Sequence, residues 1–265
     1  MNRLDPYMRE EGVGPEVVCL HANASTSGQW RALQDLLSSR FHVICPDLYG
    51  SGKSPEWTYD RRLTLSDEVE FIEPMLARAK TPLAFVGHSH GAAVALIAAV
   101  MNPERVRAMA LYEPTLFALV DAETCAPNDA DGIRNAVADA RLALDAGAQD
   151  AAARRFIDYW MEKGSWDAVN EQRKPAIAGS IKNVGRWAHA LFNEPTTLNA
   201  FRSLDIPILY MTGKRSTAAA RAVTRLLCGV LPRVHAVEFE DLGHMGPITH
   251  PGVVNETVAR FLDQI

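Results

Sequence analysis

The chain has 265 residues, of which 48% are hydrophobic and 22% charged, with a formal net charge of −5. Those proportions belong to an ordinary globular protein of one large domain or one domain carrying an insertion, and they exclude a disordered chain. Lys and Arg are scattered, without the basic stripe that grips nucleic acid or the polybasic run that docks on a membrane.

The N-terminal stretch MNRLDPYMREEG lacks the apolar segment of a signal peptide, and Asp5, Pro6 and Glu10 interrupt it. The longest apolar run, near residues 92–101, is shorter than the ~20 residues that span a bilayer. Cys19, Cys45, Cys125 and Cys228 are widely spaced, with no CxxC pair, and read as reduced core thiols. A cytoplasmic protein is expected, with no nucleic-acid partner and no membrane.

In chain order, residues 16–21 (EVVCLH), 41–47 (FHVICPD), 83–88 (LAFVGH), 106–113 (VRAMALYE), 207–213 (PILYMTG) and 234–241 (VHAVEFED) are predicted strands. Helical spacing fills residues 30–38, 65–79, 92–101, 218–231 and 252–265 between and after them. Continuous apolar strands alternating with helices imply an α/β fold with a mostly parallel sheet covered on both faces. Residues 115–204 break this rhythm. They hold only helix-like segments, such as 131–145, 151–163 and 183–190, and strands resume beyond them. The expected organisation is therefore a core from residues 1–114 and 205–265, with an all-helical cap from 115–204 inserted between two strands.

Residues 87–91, GHSHG, satisfy G-x-S-x-G directly after a strand and directly before the apolar run AAVALIAAV. That context makes Ser89 a candidate nucleophile at a sharp strand-to-helix turn, where a helix N-terminus favours developing negative charge. A serine hydroxyl needs an imidazole to take its proton. The H-x-H of His88 and His90 has no further ligands at useful spacing, so no metal site is predicted. Flanking side chains at such a turn point away from the hydroxyl, which also disfavours both as the base.

Three further stretches carry a resemblance. LHANASTSGQW (residues 20–30) resembles the first strand-to-helix loop of the α/β-hydrolase family, DLYGSGKS (47–54) its D-x-x-G-x-G-x-S segment, and LGHMGPITHP (242–251) its terminal loop with the catalytic histidine. The resemblance covers nearly the whole chain. It implies an eight-stranded, mostly parallel sheet with a helical cap after the sixth strand, and it makes His244 the base. Backbone N–H groups of Asn23 and His90 would form the oxyanion hole, with Ala22 standing where the family usually has glycine.

The acid departs from the pattern. The family most often carries it as G-x-x-D after the penultimate strand, whereas this chain reads GKRS, with Ser216 in the acid's place. Some branches, including certain haloalkane dehalogenases, place a carboxylate at the end of the sixth strand, where this chain has Glu113. Ser89 excludes a dehalogenase mechanism that needs an aspartate nucleophile. Asp241 is the rival acid. The expected function is thus hydrolysis of small-molecule carboxylic esters by a Ser89–His244–Glu113 triad, without a cofactor. Leu116, Phe117, Trp160, Trp187 and Phe192 of the cap are the candidate substrate-binding residues. The alternatives are a C–C bond hydrolase of diketone ring-cleavage products and a non-catalytic binding module on the same fold.

Overall fold

The computed structural model describes residues 5–79 and 81–265. The strands are β1 (Met8–Glu11), β2 (Glu16–Leu20), β3 (His42–Pro46), β4 (Leu83–His88), β5 (Val106–Tyr112), β6 (Ile208–Gly213) and β7 (Val234–Phe239). They form one sheet in the order β1-β3-β2-β4-β5-β6-β7, parallel except for β1, which runs antiparallel to β3. The sheet therefore has seven strands among the described residues rather than eight, and the helical insertion follows its fifth strand. β1 (MREE) escaped the hydrophobic pattern because an edge strand with a half-open face needs hydrogen-bonding partners, not an apolar run.

The core helices are α1 (Arg31–Leu37), α2 (Leu65–Leu76) and α3 (His90–Met101). Six helices follow between β5 and β6: α4 (Phe117–Glu123), α5 (Asp131–Asp145), α6 (Gln149–Trp160), α7 (Ser165–Ala168), α8 (Lys174–Ile181) and α9 (Val184–Phe192). The chain closes with α10 (Ala218–Cys228), α11 (Gly246–Thr249) and α12 (Pro251–Leu262). α1 and α12 pack together over one face of the sheet, in a core with Val17, Cys19, Val86 and Met211. α2, α3, α10 and the inserted helices share the larger core on the other face. α3 is apolar all round after His90 and buried from His90 to Ala99, as a helix enclosed by sheet and neighbouring helices must be. α2 starts at a capping box in which Thr64 and Asp67 satisfy each other's backbone amides.

This topology has one consequence for function. Strand order reverses at β2, with β3 on one side and β4 on the other. In open parallel sheets, ligands bind in the crevice outside the carboxyl ends of the strands at such a switch point. The register pairs Leu20 with Gly87, His88 with Tyr112, and Tyr112 with Met211. The loops after β2, β4, β5 and β6 therefore leave the sheet side by side. No helix among the described residues is long and apolar enough to cross a membrane. Cys19 and Cys45 are buried, as read from sequence, but Cys125 is exposed on the cap.

Candidate active site

Ser89 sits between β4 and α3 with φ 55° and ψ −116°, a conformation that L-residues rarely adopt. The strain is held by packing on both sides. A Cβ at Gly91 would lie 2.3 Å from the Leu20 carbonyl oxygen, and one at Gly87 would lie 2.6 Å from the Ala92 Cα. Both glycines are thus required for the helix to start so close to the sheet, and that closeness turns Ser89 outward.

His244, in the loop after β7, brings Nε2 to 2.9 Å from Ser89 Oγ. Its Nδ1 lies 2.7 Å from Glu113 Oε2. Because the carboxylate can only accept, Nδ1 carries the proton and Nε2 is left to accept from the serine hydroxyl. Glu113 directly follows β5 and also has a positive φ of 44°. It is wholly buried, and its other oxygen, Oε1, accepts from Thr212 Oγ1 at 2.8 Å, the Gly213 amide at 2.7 Å and Ser216 Oγ at 2.5 Å. Burial pushes the carboxyl upward, yet the imidazole, the Ser216 hydroxyl and the Gly213 amide outweigh it and hold the group below its ordinary value. Ser216, at the position where the family usually has its acid, thus donates to the glutamate that faces His244. Asp241 lies elsewhere: it is exposed and paired with Arg215 at 2.9 Å.

A cavity of about 340 Å³ opens on Ser89 and His244. Phe117, Trp160, Trp187 and Phe192 line it, as do Asn23, Thr115 and Met245. Leu116 does not. Its side chain is fully buried in the core beneath, because α4 begins one residue later and turns Phe117 into the cavity instead. Trp160, the last residue of α6, stacks on the His244 ring with centroids 4.0 Å apart, so the helical insertion touches His244 directly. Asn23 lies in the loop after β2, and His90 opens α3, where a first-turn amide has no intrahelical acceptor. The His90 imidazole is buried beside Glu68 rather than in the cavity.

The model of the α/β-hydrolase fold matches residues 15–251 of this chain. The chain belongs to the α/β-hydrolase family. This hydrolase is 33% identical over 261 residues to the pimeloyl-[acyl-carrier protein] methyl ester esterase of Aliivibrio salmonicida, covering 97% of this chain and 95% of that one. It is 25% identical to the 2-(acetamidomethylene)succinate hydrolase of Mesorhizobium japonicum, covering 99% and 93%. Among solved structures, an α/β hydrolase from a Medee basin deep-sea metagenome library superposes with a TM-score of 0.83 at 16% identity, covering 100% of this chain and 96% of that one.

Two supporting residues, His88 and Tyr112, carried no sequence signal, because each acts through a contact made far along the chain. His88 Nε2 donates to the His244 carbonyl at 2.8 Å, which leaves Nδ1 to accept from the Gln29 side chain at 3.1 Å. Tyr112 donates to the neighbouring Gly243 carbonyl at 2.8 Å. Together they hold the loop that presents His244. His21 supports the Asn23 loop, donating from Nδ1 to the Ala22 carbonyl at 2.8 Å and accepting the Leu48 amide at 3.0 Å.

Burial, and then the nearby His244, hold the His88 pKa well below its ordinary value. His88 is therefore neutral when folded but takes a proton when unfolded as pH falls below about 6.5. Its stability contribution is full above that value and declines as pH drops towards the folded pKa. Urea unfolding of wild type should show lower stability at pH 5 than at pH 7. His88→Gln should lose about 1–3 kcal/mol at pH 7 and show a shallower pH dependence, with a remainder from His21 and His189, whose pKa values burial also lowers. Parallel pH profiles for the two proteins would refute the neutral, buried assignment.

Proposed function

We propose that this hydrolase cleaves carboxylic esters of small molecules through an acyl-enzyme on Ser89. The observation that carries the reading is the continuous chain of contacts from Glu113 through His244 to Ser89 Oγ, ending in an apolar cavity. In the first half-reaction, His244 Nε2 takes the serine proton as Oγ attacks the ester carbonyl. The backbone amides of Asn23 and His90 hold the oxyanion of the tetrahedral intermediate. Collapse expels the alcohol, which receives its proton from His244. Water then enters, His244 takes one of its protons, and the acid is released with Ser89 restored. Glu113 keeps the proton on Nδ1 and stabilises the imidazolium that forms in each half-reaction.

The cap side of the cavity supplies apolar contact for the acyl group, with Trp187 and Phe192 as its aromatic walls. The esterase relative supports ester cleavage, and the succinate hydrolase shows that the same fold serves another hydrolysis. An acyl-length panel of activated esters, run beside diketones for the C–C alternative, tests the assignment. Ester turnover with a chain-length optimum is expected, together with fluorophosphonate labelling at Ser89 and at no other serine. Trp187→Ala should move that optimum to longer chains, because removing the indole opens space for additional methylene groups. Turnover confined to diketones would overturn the ester reading; an unchanged optimum would remove Trp187 from the acyl site.

A further inference from the structure

The cavity is lined by residues of unlike exposure. Ser89, His244, Trp160 and Trp187 are buried, whereas Met161, Asn170, Arg173 and Thr249 line it from exposed positions. The remaining wall is largely aromatic and aliphatic. Among the described residues, no Asp, Glu or Lys lines the cavity, and Arg173 is its one permanently charged residue.

Arg173 differs from the cations around it. Lys174 pairs with Glu171, Arg154 with Asp167, and Arg186 with Glu56. No ion pair or side-chain hydrogen bond engages the Arg173 guanidinium among the described residues, although Arg173 immediately precedes α8 and borders the cavity. A guanidinium offers five donors in a rigid fork that matches a carboxylate in bidentate fashion. The chain as a whole carries a net charge of −5, which repels an anionic substrate at long range. A cation at an exposed position of the cavity lining offsets that repulsion locally.

We infer that Arg173 is a specificity-determining residue. It selects esters that carry a carboxylate remote from the scissile bond, joined to it by an apolar stretch lying along the aromatic wall. This inference rests on the ester-hydrolase reading. The carboxylate could belong to the acyl chain, as in a half-ester of a dicarboxylic acid, or to the alcohol. Both present the same chemistry to the guanidinium.

Two matched substrate sets test it. One pairs straight-chain methyl esters with and without a terminal carboxylate; the other pairs acetyl esters of hydroxy acids with those of plain alcohols. Wild type should prefer the carboxylate member of at least one set by about tenfold in kcat/KM, mainly through KM, and added salt should shrink the preference. Arg173→Gln should bring the ratio towards one, while Arg173→Lys should keep part of it, a point charge lacking the fork. Labelling rates with fluorophosphonates bearing or lacking a distal carboxylate should follow the same pattern and require no ester turnover.

A wild-type ratio near one in both sets would overturn the inference while leaving ester hydrolysis intact. So would a preference that survives Arg173→Gln in a protein with an unaltered melting temperature. Absence of both ester turnover and Ser89 labelling would sink the underlying reading, and the inference with it. The set that shows the preference identifies which side of the ester carries the anion.

Discussion

Ser89→Ala should remove about six orders of magnitude in turnover while leaving a folded protein, because loss of a triad nucleophile typically costs about a million-fold. The structure gives reasons for both halves of that result. Ser89 Oγ has His244 as its side-chain hydrogen-bonding partner, so nothing else loses a contact when the hydroxyl goes. The unusual φ of 55° is imposed by the packing around Gly87 and Gly91, and alanine, with the same Cβ, bears no more strain there than serine. Stability should remain within about 1 kcal/mol of wild type. Steady-state hydrolysis with the best ester, alongside a thermal melt, makes the test. An alanine variant of ordinary activity would exclude the acyl-enzyme route.

Glu113→Gln should lower turnover by about ten-thousand-fold, with the fold intact, by forcing the wrong tautomer on His244. The wild-type carboxylate accepts four hydrogen bonds, three at Oε1 from Thr212, Gly213 and Ser216, and one at Oε2 from His244 Nδ1. A glutamine in the same place has one oxygen and one NH2 group. Its oxygen belongs with the Gly213 amide, which can only donate, since the opposite orientation would set an NH2 against that fixed donor. The NH2 then faces His244 Nδ1, which must accept, so the ring proton moves to Nε2. An Nε2 that carries a proton cannot take another from Ser89. Adding Ser216→Asp to this variant restores a carboxylate at the position the family more often uses, and should recover part of the loss. A Glu113→Gln enzyme close to wild-type turnover would leave the triad without this acid. Asp241, exposed and held by Arg215, offers no replacement within the site.

Much of the framework was legible in the residues alone. GHSHG between an apolar strand and an all-apolar helix specifies a tight turn with a serine at its apex, because backbone conformation there is decided by neighbours only a few residues away. The same holds for α5, whose amphipathic spacing predicts residues 131–145, the span the helix occupies. Strands β2 to β6 announce themselves because burial on both faces demands continuous apolar runs, whereas β7, at the far edge, has no buried residue. β1 does not announce itself, since an edge position tolerates Arg9 and the glutamates beside it.

What only the tertiary structure decided is how strand ends distant in sequence meet. Glu113 and His244 are 131 residues apart, yet the register of β5 and β6 and the loop after β7 bring them to 2.7 Å. Nothing local to Ser216 reveals that its hydroxyl faces Glu113, and nothing local to His88 reveals that it holds the His244 loop. The one-residue difference that buries Leu116 and turns Phe117 into the cavity depends on where α4 begins. That Arg173 has no side-chain partner among the described residues is likewise invisible in sequence, because pairing is a fact about neighbours in space. Periodicity reports which way a segment's own side chains face; the sheet register and the packing of the inserted helices against His244 determine which of them share a site.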